Sequence, residues 1–351
     1  MSPARASDRS ALAPPADEGP WGLAGAVDRA AALRGDVAAV RALLSDPRAR
    51  VLLVGDQGVA TDDDASLAWV TAPGTTRLPD PPDVPAVPAH ADGPTAAGPA
   101  HADDTAEPLD AWVLLALADD GAPLLARRTS ADSPVRGRWT ALRPAFGTLD
   151  DTELVLAATA VALHAWHSRH PRCPRCGAPT RPAQAGWSRV CTAEGSEHYP
   201  RTDPAVIMAV VDDADRLLLG HAASWPQGRF STLAGFVEPG ESLEQAVRRE
   251  VEEEVGVRVE AVEYVRSQPW PFPASLMVGF RARARSAPAT PDGQEVTEAV
   301  WVTRDELAER VAAGVIGLPG RASIARRLIE GWFGGRIDEP AHAPGWGTGG
   351  R

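Results

Sequence analysis

Lysine is missing from this chain: all 35 basic residues among its 351 are arginine. That excludes a lysine Schiff base and a phosphate-loop lysine. GC-rich coding bias explains the absence and also suits the many Ala, Pro, Gly and Arg residues. No apolar run approaches the roughly 20 residues of a membrane span. The opening MSPARASDRSALAPPADEGP has no apolar signal-peptide core. A soluble, cytoplasmic protein with no membrane partner is therefore expected. Three cysteines form no even-numbered disulfide framework. With 35 basic against 47 acidic residues the net charge is −12, which argues against a broad nucleic-acid surface. A nucleotide stays open, because metals or a few arginines can reach its phosphates.

The chain that is there holds 44% hydrophobic residues, enough for two or three modest domains. Residues 1–20 read as disordered. A first domain is expected over 21–168: a helix or two in AAALRGDVAAVRALLSD, then short strands in VLLVGDQG and SLAWV. From Ala72 to Pro108 nine prolines fall in a stretch without apolar periodicity, which predicts a flexible insertion. AWVLLALADDGAPLLARR then reads as a hairpin around an Asp-Asp-Gly turn, and DDTELVLAATAVALHAWHSRH as a helix with an acidic start. A cysteine-bearing module covers 169–201, a second domain 202–335, and a Gly/Pro-rich flexible tail 336–351. AVIMAVVDDADRLLLGHA repeats the strand, Asp-Asp turn, strand order, and a loop and helix follow in each case. This suggests two related halves, with the 112–128 hairpin as counterpart of the later one.

The helix after the second hairpin lies in GFVEPGESLEQAVRREVEEEVGV, residues 235–257, which carries seven glutamates. Ser242 can cap this helix, apolar positions 243, 246, 247 and 251 make one buried stripe, and Gly256 can end it. Glu250, Glu253 and Glu254 stand at i, i+3 and i+4, so their carboxylates converge. Like charges at that spacing cost about 0.2–0.5 kcal/mol per pair. A hard divalent cation such as Mg²⁺, commonly shared with substrate phosphates, turns the repulsion into attraction. Gly235, Glu241, Arg249, Glu250, Val251, Glu253, Glu254, Gly256 and Val257 match every fixed position of G-x5-E-x7-R-E-U-x-E-E-x-G-U, with U apolar. The segment resembles the signature loop–helix–loop of Nudix hydrolases.

That resemblance implies a Nudix fold, of the α/β (α+β) class, with a mixed sheet between helices. It also implies water attack on a phosphorus of a substituted nucleoside diphosphate, assisted by Mg²⁺ or Mn²⁺. By the match, Glu250, Glu253 and Glu254 would be metal ligands, with Glu253 or Glu254 also the base. Arg249 would pair with a box carboxylate, and Glu241 would support the loop by reaching backbone groups or the metal shell. Downstream, SQPWPFPASLM places three prolines in five residues, which cannot form an internal strand and predicts a stiff loop presenting Trp270 and Phe272.

This S-Q-P-W-P-F-P-x-S pattern, with the C-x2-C region, YPR at 199–201 and LPG-RASIARRLIE, resembles the NADH pyrophosphatase family over roughly 110–333. The family cleaves NAD(H) to nicotinamide mononucleotide and AMP, and its bacterial members can remove NAD caps from RNA 5′ ends. The resemblance implies a homodimer with shared sites. Phe236 would stack on a base, and Tyr199, Gln268, Ser275 and Ala325 would line the site. Trp270 would come from the partner subunit. Glu295 would be a further metal ligand, with Glu298 the weaker candidate. Hydrolysis of another diphosphate such as ADP-ribose, and a non-catalytic Nudix ligand sensor, are the rival readings. The proline loop argues against the first and the intact carboxylates against the second.

Cys173 and Cys176 form a C-x2-C knuckle, and Cys191 follows. Thiolates at this spacing suit a structural Zn²⁺, which normally takes four protein ligands. The family's second knuckle would place its fourth cysteine where this chain has Glu194 or Ser196. Glu194 and His198 are the candidate replacements, with His198 preferred for its softer donor.

Overall fold

The computed structural model describes residues 27–71, 112–130 and 133–340. These fall into two compact units, 27–201 and 202–340. The expected disordered start, 1–20, and the expected insertion, 72–108, lie outside the described residues. No helix among the described residues is long and apolar enough to cross a membrane.

Residues 27–201 begin with a short helix, α1 (Val37–Leu44), and the strands β1 (Arg50–Gly55), β2 (Gly58–Thr61) and β3 (Trp69–Thr71). They continue with β4 (Trp112–Leu117), β5 (Pro123–Arg128), β6 (Arg138–Thr140), α2 (Leu142–Ala145) and α3 (Asp151–Arg169). Asp150 caps α3 by accepting from the Glu153 amide, and Arg169 occupies its last turn, where positive charge suits the helix dipole. The cysteine module adds β7 (Thr180–Ala183), β8 (Ser188–Cys191) and β9 (Glu197–His198) as a separate three-stranded sheet. It is docked on the larger sheet: the Trp187 indole donates to Leu114 O at 2.7 Å, and His167 Nε2 meets Gly186 O at 2.8 Å.

Residues 202–340 contain β10 (Asp203–Val211), β11 (Leu217–Ala222), β12 (Leu233–Phe236), α4 (Leu243–Val255), β13 (Val259–Trp270) and β14 (Ser275–Ala284). After them come β15 (Val296–Val302), α5 (Arg304–Ala312) and α6 (Ile324–Phe333). Alternation along β10 divides the core. Val206, Met208 and Val210 pack with the α4 stripe of Ala246, Val247, Val251 and Val255. Ile207, Ala209 and Val211 pack with Leu307 of α5 and Leu328 of α6. This is a mixed sheet between helices.

The two sheets have one topology. The order β4-β5-β1-β2-β6, with β3 on β1, matches β13-β14-β10-β11-β15, with β12 on β10. The single parallel pairs, β1 with β5 and β10 with β14, also correspond. The first half is therefore a Nudix-like sheet, but its alignment differs from the sequence reading. The 112–128 hairpin, β4–β5, is the counterpart of β13–β14, and β10–β11 corresponds to β1–β2. Two apolar strands around an Asp-Asp turn look alike at any place in the order; pairing with β1 or β10 distinguishes them.

Two further differences concern prolines and the tail. The segment 267–270 is not a loop but the end of β13, with Gln268 opposite Met277 and Trp270 opposite Ser275. Pro269 is tolerated because β13 is an edge strand, where a missing N–H costs no ladder bond. Residues just after Arg336, expected to be flexible, are pinned. Ile337 is buried in the α6 cluster, and Glu339 pairs with the buried Arg326.

Candidate active site

The site grows from the β12–α4 junction. Ser242 and Gln245 form a reciprocal capping box, with Gln245 N–H donating to Ser242 Oγ and Ser242 N–H to Gln245 Oε1. This fixes where α4 begins and so where its glutamates project. Gly256, at φ 68°, ends the helix in the left-handed conformation that glycine adopts freely.

Arg249 organises the cluster. Its guanidinium donates to Glu241 at 2.5 and 3.1 Å, to Glu250 at 2.9 Å, to Glu253 at 3.0 Å and to Phe236 O at 2.9 Å. Glu241 also accepts from the Glu238 amide at 2.8 Å, which ties the loop to the helix. One arginine thus holds three carboxylates and the end of β12. Planar, multidentate donation of this kind is arginine chemistry that lysine does not reproduce.

Glu254 has no such partner. It is 7% exposed, and its Oε2 is buried without a hydrogen bond. Burial raises its pKa to about 8, helped by the charges of Glu250, Glu295, Asp292 and Glu253. Burial likewise raises the Glu250 pKa against the opposing pull of Arg249. A buried, orphaned oxygen beside further carboxylates, with one arginine to balance them, has the donor chemistry of a hard divalent cation site. Glu253 is the open member, its side chain 61% exposed.

Glu295 joins the cluster from outside the box, because the loop before β15 is tied to the end of α4. Thr290 N–H donates to Val255 O and Asp292 N–H to Glu254 O, at 2.8 and 2.9 Å. The Asp292 carboxylate then accepts from the amides of Gln294, Glu295 and Val296. Sequence reading missed Asp292; its signal was the Asp-Gly turn two residues before Glu295. Glu298 is exposed on β15 opposite His221.

The expected substrate residues divide. Phe236 is 58% exposed at the end of β12, paired with Ala205, which also pairs with Met277. Ser275 and Ala325 are buried, Ala325 within the cluster that packs Met277. Gln268 is 1% exposed, and both ends of its amide are engaged: Nε2 donates to Ala322 O and Oε1 accepts from Ile324 N–H. It therefore clamps the start of α6, the turn that carries Ala325. The Trp270 ring stands edge-on to Phe272 at 4.9 Å. Tyr199 belongs to the other unit, 67% exposed, its hydroxyl donating to Glu197.

In the ribbon the structure assembles Cys173, Cys176, Cys191 and Glu194, whose ligand atoms all lie within 4.8 Å of one another. The two knuckles are alike: Gly177 N–H donates to Cys173 O and Gly195 N–H to Cys191 O. That equivalence puts Glu194 where Cys176 sits in the first knuckle. Ser196 donates to Glu194 Oε1 at 2.6 Å and, with Cys173, holds its carboxyl below the usual range. His198, the preferred sequence candidate, is outside this group and meets Ser196 Oγ at 3.0 Å. Knuckle geometry outweighed donor softness.

Residues 201–317 match the NUDIX domain, and residues 168–199 match the NADH pyrophosphatase zinc ribbon domain. Over 216 residues the chain is 46% identical to the NAD-capped RNA hydrolase NudC of Mycobacterium bovis, covering 58% of this chain and 67% of that protein. It is 43% identical over 202 residues to the NAD-capped RNA hydrolase NUDT12 of Macaca fascicularis, covering 54% of this chain and 44% of that one. Among solved structures, a NUDIX hydrolase from Nitrosomonas europaea aligns with 26% identity and a TM-score of 0.34, over 38% of this chain and 78% of that one.

Proposed function

The chain belongs to the NADH pyrophosphatase family of Nudix hydrolases, and from that premise we propose that it cleaves the diphosphate of NAD(H), giving nicotinamide mononucleotide and AMP. The same hydrolysis on an RNA 5′ end removes an NAD cap. The observation that carries this reading is the orphaned Glu254 oxygen within a four-glutamate cluster beside the exposed Phe236 ring.

Glu250, Glu253, Glu254 and Glu295 would hold the divalent ions, Mg²⁺ or Mn²⁺. When bound, such a cation offsets charge on the diphosphate and lowers the pKa of a bound water. Arg249 holds Glu250 and Glu253 in register, and Glu241 anchors Arg249 to the loop. Glu253, the exposed carboxylate, takes the proton of the attacking water. Phe236 supplies a face for a base, and Ser275 and Ala325 shape the wall beside it, with Gln268 fixing the turn of α6. Trp270, given by the partner subunit, completes the site in a homodimer.

In the ribbon, three thiolates and Glu194 would hold a structural Zn²⁺. The cysteines form no disulfide, which suits a reducing cytoplasm.

The deciding experiment is product analysis of purified protein with NADH and Mg²⁺ or Mn²⁺. Equimolar reduced nicotinamide mononucleotide and AMP support the reading. Turnover of ADP-ribose with NADH untouched would redirect it to another diphosphate.

A further inference from the structure

Glu250, Glu253 and Glu254 stand on α4, where helical spacing fixes them relative to one another. Glu295 stands in the loop before β15 and needs another device. That loop is tied at both ends. Thr290 N–H donates to Val255 O at 2.8 Å, and the Val296 side chain is buried in the core that packs α4. Between these ties Asp292 folds the chain into a turn around its own carboxylate. Oδ1 accepts from Gln294 N–H at 3.1 Å and Val296 N–H at 2.9 Å, and Oδ2 accepts from Glu295 N–H at 3.2 Å. A short side chain that bonds backbone two residues ahead is the usual way aspartate builds a turn.

The Asp292 main chain points the other way: its N–H donates to Glu254 O at 2.9 Å. One residue therefore grips the backbone of two cluster glutamates that come from different elements. Both of its carboxylate oxygens are engaged by amides, so it serves the loop rather than offering a free donor to a cation. Glu295 has one further tie, its carbonyl accepting from Ala223 N–H at 3.1 Å.

We propose that Asp292 is a positioning residue for the divalent metal: by holding the main chains of Glu254 and Glu295 together it sets the spacing of their carboxylates and raises metal affinity without touching the ion. This rests on the metal-cluster reading above. Partners that orient metal ligands are worth about 10–100-fold in affinity. The lower end applies here, because a substitution at Asp292 leaves its own N–H bond to Glu254 and the Ala223 tie in place.

The test is equilibrium dialysis of Mn²⁺ against the full zinc-loaded chain without substrate. Asp292→Ala should weaken Mn²⁺ binding about tenfold. Asp292→Asn, whose Oδ1 can still accept from Gln294 and Val296, should weaken it less, about threefold. In a Glu295→Gln background, Asp292→Ala should cost less than about twofold, because the carboxylate it positions is gone. Unchanged Mn²⁺ affinity in both Asp292 variants would overturn the proposal. Equal losses with and without Glu295 would overturn it too, leaving Asp292 as a charge that acts on the ion directly. A wild-type protein that binds no Mn²⁺ would overturn the metal-cluster reading and this role with it. The expected series of affinities, in a protein that leaves NADH intact, would support the positioning role and overturn the catalytic reading instead.

Discussion

Gly235 and the carboxylate of Glu250 occupy space that admits no side chain between them. A β-carbon on Gly235 would lie 1.9 Å from Glu250 Cδ and 2.0 and 2.3 Å from its two oxygens. The first glycine of the signature is therefore a cradle for a glutamate fifteen positions later in the chain. Gly235→Ala should displace Glu250 and lower kcat at least about a hundredfold, in the range of losing one electrostatic contributor to the transition state. Circular dichroism should remain native. Near-normal turnover in a folded Gly235→Ala variant would show that Glu250 is not needed where it stands.

Phe236, on the neighbouring position, should act on binding. Phe236→Ala removes an exposed ring whose stacking on a base is worth about 1–3 kcal/mol. KM for NADH should rise about tenfold or more, and a diphosphate without a stacked base should be affected much less. Equal effects on both substrates would make Phe236 a packing residue only.

His167 sets a pH dependence for the first unit. Burial lowers its pKa from 6.5 to about 3, so it is neutral in the fold. The folded pKa is depressed, so between pH 6.5 and about 3 the unfolded state binds the extra proton. Stability is then fully present above pH 6.5 and falls by about 1.4 kcal/mol per unit below it. Denaturant unfolding at pH 7.5 and 5.5 should show that loss in the wild type and a smaller one in His167→Gln. Identical pH dependence of the two proteins would assign the acid sensitivity to other groups.

Glu194 should control metal retention in the ribbon. A carboxylate is a harder donor than a thiolate, so zinc should be held less firmly than by four cysteines. Glu194→Cys should slow zinc loss to a chelator, Glu194→Ala should speed it, and His198→Ala should leave it nearly unchanged. Elemental analysis after timed dialysis reads all three. Zinc loss from His198→Ala matching that from Glu194→Ala would return the histidine to the site.

What the sequence determined by itself was local. The cap at Ser242, the buried stripe of α4, the stop at Gly256 and the convergence of Glu250, Glu253 and Glu254 all follow from helical spacing. That spacing depends on neighbours three or four positions away and on nothing remote. The C-x2-C knuckle was legible for the same reason. The tertiary structure decided whatever required distant chain to meet. Glu295 reaches the cluster only because Thr290 and Asp292 bind the last carbonyls of α4. Glu194 lies with the three cysteines, and His198 outside them, because the second knuckle folds like the first. The alignment of the two halves emerged from parallel pairing of β1 with β5 and β10 with β14, across gaps that no hydrophobic pattern spans. Strand patterns record which face is buried; they do not record which strand lies alongside, and that choice rests on packing of the whole sheet.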